Sequence, residues 1–201
     1  MANTNRKGFY PFDSQRTEYR LYPIAVGNAT AVFIGDVVSA ITGGTVAPSA
    51  AGDNNIVLGT VVELFDNQLV AGQQAPVPVG MWASTVTSKY LPVSTAGYAL
   101  IAVAKPGMKF VAQTNTIMTA AAINKTTALV AGAGNTTTAQ SGHVLNGNDL
   151  NTGNQFTIIG PWNQLAVAAG STINDITAAG ALWVVEFNES LNFGIGKSTG
   201  V

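Results

Sequence analysis

Residues 31–41 read AVFIGDVVSAI, and residues 56–65 read IVLGTVVELF. Both stretches are rich in Val, Ile and Phe. A glycine interrupts each of them, and in the first it is followed by an aspartate, as Gly35-Asp36. β-Branched and aromatic runs that are divided in this way are typical of short strands joined by turns or bulges. The two stretches therefore predict either strand–turn–strand units or strands with a bulge.

Further strands are predicted towards the C-terminus. Residues 98–104 (YALIAVA) lead through Pro106-Gly107 into residues 108–113 (MKFVAQ), which predicts a hairpin. Residues 156–160 and 164–168 continue the pattern, and residues 182–188 (LWVVEFN) are the clearest central strand of this half. No stretch keeps the helical period over three turns, although residues 119–123 could form one or two helical turns. The predicted fold class is all-β, with a β-barrel or β-sandwich body of many short strands.

The chain is predicted to be one domain with an extended N-terminal arm. Residues 1–20 form the arm and residues 21–201 form a β-rich body, which we expect to fold without the arm. Within the body, residues 114–155 are rich in Gly, Thr and Asn. This stretch is either a loop-rich excursion or a small separate lobe, and its Asn146-Gly147 pair predicts a turn.

The predicted arm differs in composition from the rest of the chain. It combines four basic and two acidic residues with four aromatic ones, and its pattern is neither helical nor strictly alternating. An extended segment of this kind can lie along the sheet edge of a partner, where its backbone groups supply hydrogen bonds. The residues that we expect to contact a partner are Arg6, Lys7, Phe9, Tyr10, Phe12, Arg16, Tyr19 and Arg20.

Composition excludes several classes of protein. Charged residues are 9% of the chain and the net charge is −1, whereas a typical soluble domain has about 25% charged residues. Nine Lys and Arg residues are too few for a general nucleic-acid binder. The longest apolar runs are far too short for a membrane-spanning helix, and the N-terminus does not read as a secretory signal. A neutral polar surface suits contact with other protein copies.

No active site is predicted. His143 is the single histidine; Ser141 and Asp149 lie near it in sequence, but a lone histidine in a Gly- and Asn-rich loop is expected to be exposed. The chain has no cysteine, and residues 146–151 (NGNDLN) lack the spacing of a calcium loop, so neither a metal nor a cofactor is expected. Residues 194–198 (GIGKS) lack the first glycine of a phosphate-binding loop.

Two further features have alternative interpretations. Glu186 lies in an apolar strand, where alternation turns it away from the face shared by Trp183, Val185 and Phe187; a buried carboxyl is the alternative. A set of aromatic residues would serve either core packing and protein contacts or stacking on sugar rings. These residues are Trp82, Tyr90, Trp162 and Trp183.

The order of these segments resembles that of the auxiliary capsid proteins of tailed bacteriophages, also called decoration or cement proteins. The resemblance covers roughly residues 20–190 and is one of pattern and composition. The segments that carry it are Gly35–Val38, Val57–Val62, Tyr98–Ala104, Phe110–Thr114, Phe156–Gly160 and Trp183–Asn188. It implies a β-barrel or β-sandwich body that sits outside the shell, contacts the major capsid protein and associates with itself as a dimer or trimer. It implies no catalytic residue.

The sequence therefore predicts a virion structural protein and not an enzyme. We expect it to be made in the bacterial host cytoplasm, to bind the outside of a phage capsid and to bridge major capsid protein subunits. Many modest contacts to a repeated lattice would add through avidity. The alternatives are a tail, fibre or head–tail joining component, or a carbohydrate-binding module on the virion surface.

Overall fold

The computed structural model describes residues 7–12, 17–41, 43–51, 57–67, 76–81, 84, 86–151, 155–162 and 174–188. In these ranges the chain is all-β, as predicted, and contains no α-helix. One 3₁₀ turn, Ala120–Ala122, lies in the segment where a helical turn was predicted. The strands are β1 (Phe9–Pro11), β2 (Tyr19–Ile24), β3 (Val37–Ala40), β4 (Val46–Pro48), β5 (Val57–Asp66), β6 (Gly97–Val103), β7 (Lys109–Gln113), β8 (Thr126–Thr127), β9 (Leu129–Asn135), β10 (Gln140–Leu145), β11 (Phe156–Pro161) and β12 (Leu182–Phe187).

The strands form three antiparallel sheets. The first sheet has the order β1-β7-β12-β11-β8, and the second has the order β2-β6-β5-β3-β4. The third is a ribbon of β9 and β10. Strand β12 lies in the middle of the first sheet, between β7 and β11, which confirms the prediction of a central strand at residues 182–188.

The second sheet contributes side chains to two hydrophobic cores. Val37 and Ala102 lie in one core together with residues of the first sheet, whereas Val38, Ile101 and Val103 lie in the other. This division follows from the strand geometry, because successive side chains point to opposite faces. The second sheet is therefore covered on both faces, and the body is sandwich-like.

The predicted hairpin at residues 98–113 is wrong. Both strands exist, as β6 and β7, but β6 pairs with β2 and β5 whereas β7 pairs with β1 and β12. The chain turns between them at residues 104–108, where the Met108 N–H donates to the Lys105 carbonyl. Turn residues between two apolar runs show that the chain changes direction, but not which sheet the next strand joins.

The stretch that was predicted to be loop-rich contains the ribbon. Strands β9 and β10 pair along residues 129–145, and isolated bridges from Gln140 to Ile34 and from Leu145 to Thr114 attach β10 to the body. Gly134 packs directly on the ring of Phe33, since a Cβ added there would lie 2.3 Å from ring carbons. The Ala and Gly residues of β9 give little hydrophobic signal, which is why the sequence did not predict this strand.

The predicted arm contributes a strand to each of the two large sheets. Strand β1 pairs with β7, and β2, which begins at Tyr19, pairs with β6. The Phe9 side chain is fully buried, with its ring centroid 4.9 Å from that of Phe156. Residues 9–11 and 19–20 are therefore part of the β-rich body and not a separate arm, and removing residues 1–20 would remove an edge strand and a core side chain.

Phe9 and Phe12 provide a matched pair of substitutions that tests this packing. Phe9→Ala should lower the free energy of unfolding by about 3–5 kcal/mol, because it leaves a cavity beside Phe156. Phe12→Ala should change it by less than about 1 kcal/mol, because the Phe12 side chain is 51% exposed. Urea unfolding followed by tryptophan fluorescence measures both values, and equal effects of the two substitutions would contradict the placement of Phe9.

Candidate functional site

A buried polar cluster lies where the ribbon meets the second sheet. It consists of Asp36, Ser141 and His143, each at most 3% exposed. The Ser141 hydroxyl donates to Asp36 Oδ1 at 2.6 Å, and the Phe33 N–H donates to Asp36 Oδ2 at 2.8 Å. The Val37 N–H donates to His143 Nδ1 at 3.0 Å. Side chains from β10 thus bind the segment that immediately precedes β3.

The loop of residues 33–37 connects several strands through its backbone. The Gly35 carbonyl accepts from the Phe9 N–H, and the Gly35 N–H donates to the Val61 carbonyl. The Asp36 carbonyl in turn accepts from the Val61 N–H. Gly35 has a φ of 92°, and a Cβ at this position would lie 2.9 Å from the Tyr10 hydroxyl oxygen, so the position requires glycine.

Burial controls the charge of both titratable groups in the cluster. It raises the pKa of the Asp36 carboxyl above its ordinary value, against the opposing effects of His143, Ser141 and the Phe33 N–H. It lowers the pKa of His143, against the opposing effect of Asp36. Both groups are thus shifted towards their neutral forms. With its Nδ1 accepting a hydrogen bond, the neutral His143 carries its proton on Nε2, 3.9 Å from Asp36 Oδ1.

The cluster contains the residue types of a hydrolytic triad but not its connections. In a triad the serine donates to the histidine, and the histidine donates to the carboxylate. Here Ser141 donates to Asp36, and His143 Nδ1 is occupied by the Val37 N–H. All three side chains are buried, so the serine has no surface to present to a substrate. The arrangement fits a structural role, in which polar side chains satisfy buried backbone groups.

His143 is therefore not exposed, contrary to the prediction. It lies in strand β10, whose side chains from Ser141 to Leu145 are all buried. The sequence does not indicate that His143 is buried, because Asp36, the aspartate that faces it, lies 107 positions away. The nearby Asp149 is not in the cluster. The Gly35-Asp36 pair predicts a turn or a bulge, but the sequence does not show which groups the Asp36 carboxyl contacts.

The other candidate chemical sites are placed as follows. Residues 146–151 include a turn at Gly147-Asn148, as predicted, and no group of three His, Asp or Glu residues suited to a metal lies in the described parts of the chain. Glu186 is half-buried and lies opposite Lys109 across the strands, while Trp183, Val185 and Phe187 face the core. This confirms the predicted outward orientation of Glu186. Residues 164–168 and 194–198 lie outside the described residues.

Two of the four aromatic residues considered for sugar stacking take part in packing within the chain. Trp183 is fully buried, and the ring of Tyr90 stacks on Phe33 at a centroid distance of 4.9 Å. Trp162 is half-buried at the end of β11, and its carbonyl accepts from the Asn174 side chain. Trp82 lies outside the described residues. Trp183 therefore has no ring surface to offer a sugar.

The predicted partner-binding residues of the N-terminal segment divide between interior and surface. Phe9 is in the core, and the half-buried Tyr10 donates its hydroxyl to the Lys7 carbonyl at 2.7 Å. Lys7 and Arg20 are exposed, and the side chains of Phe12 and Tyr19 are 51% and 42% exposed. Arg6 and Arg16 lie outside the described residues.

Two salt bridges lie at the start of β2. The Glu18 carboxylate accepts hydrogen bonds from Lys105 and from Arg20, which together hold its pKa below the ordinary value. Both basic side chains are more than a third exposed, so solvent screens these pairs and they add little to stability. They do orient the Arg20 side chain, which lies on the opposite face of β2 from Tyr19.

The chain matches no family model, no curated protein and no solved structure. In the described residues, no helix is long and apolar enough to cross a membrane.

Substitutions of Asp36 test whether its buried carboxyl acts as a neutral group. Asp36→Ala leaves the Phe33 N–H and the Ser141 hydroxyl without their partner and should lower the free energy of unfolding by about 2–4 kcal/mol. Asp36→Asn keeps an acceptor for the Phe33 N–H and a donor for Ser141, so it should cost about 1 kcal/mol or less. Chemical unfolding at neutral pH compares the two. Equal losses would show that the negative charge itself is required.

His143 should make stability depend on pH. Because its pKa is lower in the folded chain than the ordinary value of 6.5, the unfolded chain takes up a proton first as the pH falls. The contribution of the neutral ring is therefore complete above pH 6.5 and is lost below it, by at most about 1.4 kcal/mol per pH unit.

The test compares the stability of the wild-type chain with that of His143→Asn. Asparagine retains an acceptor near the position of Nδ1 but does not titrate. The excess stability of the wild-type chain over this variant should shrink as the pH falls below 6.5. Unfolding curves taken from weakly alkaline to weakly acidic pH measure this difference. A difference that stays constant over the range would contradict the burial of a neutral histidine.

Proposed function

We propose that this chain is a structural protein of a tailed-phage particle, which binds the outside of the capsid and bridges major capsid protein subunits. The observation that carries the proposal is that three exposed large apolar side chains lie close together in sequence, within residues 12–21. Phe12, Tyr19 and Leu21 are each more than 40% exposed, although they follow or belong to strands that are fixed on the body.

The geometry of this segment suits an adhesive surface. Phe12 directly follows β1, and its N–H donates to the Lys109 carbonyl, so the backbone is held while the ring faces outward. Tyr19 and Leu21 lie two residues apart on β2 and so share one face of the strand. Side chains on an ordered backbone lose less conformational entropy when they bind than side chains on a free tail.

The low charge of the chain supports the same function. With 9% charged residues, contacts to a shell would depend mainly on apolar and neutral polar groups, which salt does not screen. Lys7 is an exposed cation of the same segment and can meet a carboxylate of a partner. Arg20, in contrast, lies on the opposite face of β2 from Tyr19 and Leu21 and pairs with Glu18. Many copies on a repeated lattice would make such modest contacts sufficient, because avidity adds them together. Self-association as a dimer or trimer belongs to the proposal.

The composition of phage particles tests the location of the protein. Mass spectrometry of gradient-purified particles of the encoding phage should find the chain in hundreds of copies, in a ratio to the major capsid protein that an icosahedral lattice allows. A handful of copies would favour a tail, fibre or head–tail joining component. Absence from mature particles would overturn the proposal.

A single substitution tests the surface without disturbing the core. Phe12→Ser should weaken binding to capsids that lack the protein by about tenfold or more, because an exposed aromatic anchor is lost. Ile117→Ser is the matched control, since Ile117 is 54% exposed but lies in another part of the chain, and its binding should not change. Cosedimentation with capsids measures both, and unchanged binding of the Phe12 variant would exclude this surface.

A further inference from the structure

The sequence contains one Asn-Gly pair, Asn146-Gly147. Asparagine followed by glycine is the pair most prone to deamidation, because glycine offers no side chain to hinder ring closure. In that reaction the Gly147 nitrogen loses its proton and attacks Asn146 Cγ. The new N–Cγ bond forms as the Cγ–Nδ2 bond breaks and ammonia leaves, and water then opens the succinimide to aspartate or isoaspartate.

The Asn115 carboxamide contacts both reacting groups in the folded chain. The Gly147 N–H, which carries the nucleophilic nitrogen, donates to Asn115 Oδ1 at 2.9 Å. Asn115 Nδ2 donates to Asn146 Oδ1 at 3.5 Å, on the carboxamide that would be attacked. One side chain thus holds the nucleophile and the electrophile in separate hydrogen bonds.

Further contacts restrain Asn146 itself. Asn146 Oδ1 also accepts from the Asn148 N–H at 3.2 Å, which directs the carboxamide towards the second following residue. The Asn146 backbone is fixed as well, since its N–H donates to the Ala128 carbonyl and its carbonyl accepts from the Thr127 hydroxyl. Attack by the Gly147 nitrogen has to break its hydrogen bond to Asn115 Oδ1, because the proton of that bond is lost.

The backbone that carries the Asn115 side chain is itself held in place. The Asn115 N–H donates to the Leu145 carbonyl, directly beside the bridge between Thr114 and Leu145. Gly147 cannot be exchanged for a larger residue without strain, because a Cβ there would lie 2.4 Å from Thr116 Oγ1. Close packing against Thr116 therefore requires glycine after Asn146, although glycine makes Asn146 prone to deamidation.

We propose that Asn146 is a deamidation site of this chain and that Asn115 is the positioning residue that keeps it unreactive in the folded state. The inference does not depend on the proposed function. It assigns Asn115 a chemical role besides its structural one, namely suppression of a reaction that would place a new negative charge next to β10.

The test follows the mass increase of the peptide that contains Asn146 during incubation at mildly alkaline pH. The folded wild-type chain should deamidate there at least tenfold more slowly than the same chain in guanidinium chloride. Asn115→Ala should raise the rate in the folded chain about five-fold, the factor expected for the loss of one hydrogen bond. Asn148→Ala is the matched control and should leave the rate unchanged, because the Asn148 backbone N–H remains.

Two further measurements separate local protection from loss of the fold. Asn115→Asp keeps the oxygen that accepts from the Gly147 N–H but loses the donor to Asn146, so its rate should lie between those of the wild-type and Asn115→Ala chains. The rates at Asn28 and Asn188, read from the same digests, should not change in either variant. Equal rates in the wild-type and Asn115→Ala chains would overturn the proposal. So would a rise at Asn28 and Asn188 equal to the rise at Asn146.

Discussion

The buried carboxyl of Asp36 and the loop that carries it determine how the three sheets fit together. Residues 33–37 bind β1 through the Phe9 N–H, β5 through Val61 and β10 through Ser141 and His143. Backbone groups at such a junction are cut off from water, so each must find a partner inside the protein. Asp36 and His143 supply these partners, and burial favours their neutral forms, which avoids the cost of an unpaired buried charge.

Local sequence patterns predicted strands better than they predicted strand partners. The runs at residues 31–41, 56–65 and 182–188 become β3, β5 and β12 with neighbouring bridges, because β-branched residues fit a pleated, half-buried surface. The partner of β7 could not be read in the same way. Its pairing with β12 depends on how residues far apart in the chain pack together, and no turn signal encodes that.

The candidate sites were also predicted correctly where neighbours in sequence decide the geometry, and they were missed where a distant residue decides it. Alternation placed Glu186 correctly, because the face of a strand residue follows from its neighbours in sequence. The environment of His143 was missed because it depends on Asp36 and on the packing of the ribbon. In the N-terminal segment, composition identified the aromatic residues but did not separate Phe9, which is in the core, from Phe12, which faces outward. That distinction follows from the pairing of β1 with β7.

The position of Phe9 has a consequence for synthesis of the chain. Its ring packs against Phe156 and Phe187, which the ribosome adds 147 and 178 residues later. Until then the N-terminal strand has no complete core to join, and an apolar side chain stays accessible to solvent. Contacts of such long sequence separation slow folding and prolong the exposure of apolar, aggregation-prone surface. The Phe9 ring should therefore stay exposed on the nascent chain until residues 156 and 187 have been synthesised and have left the ribosome.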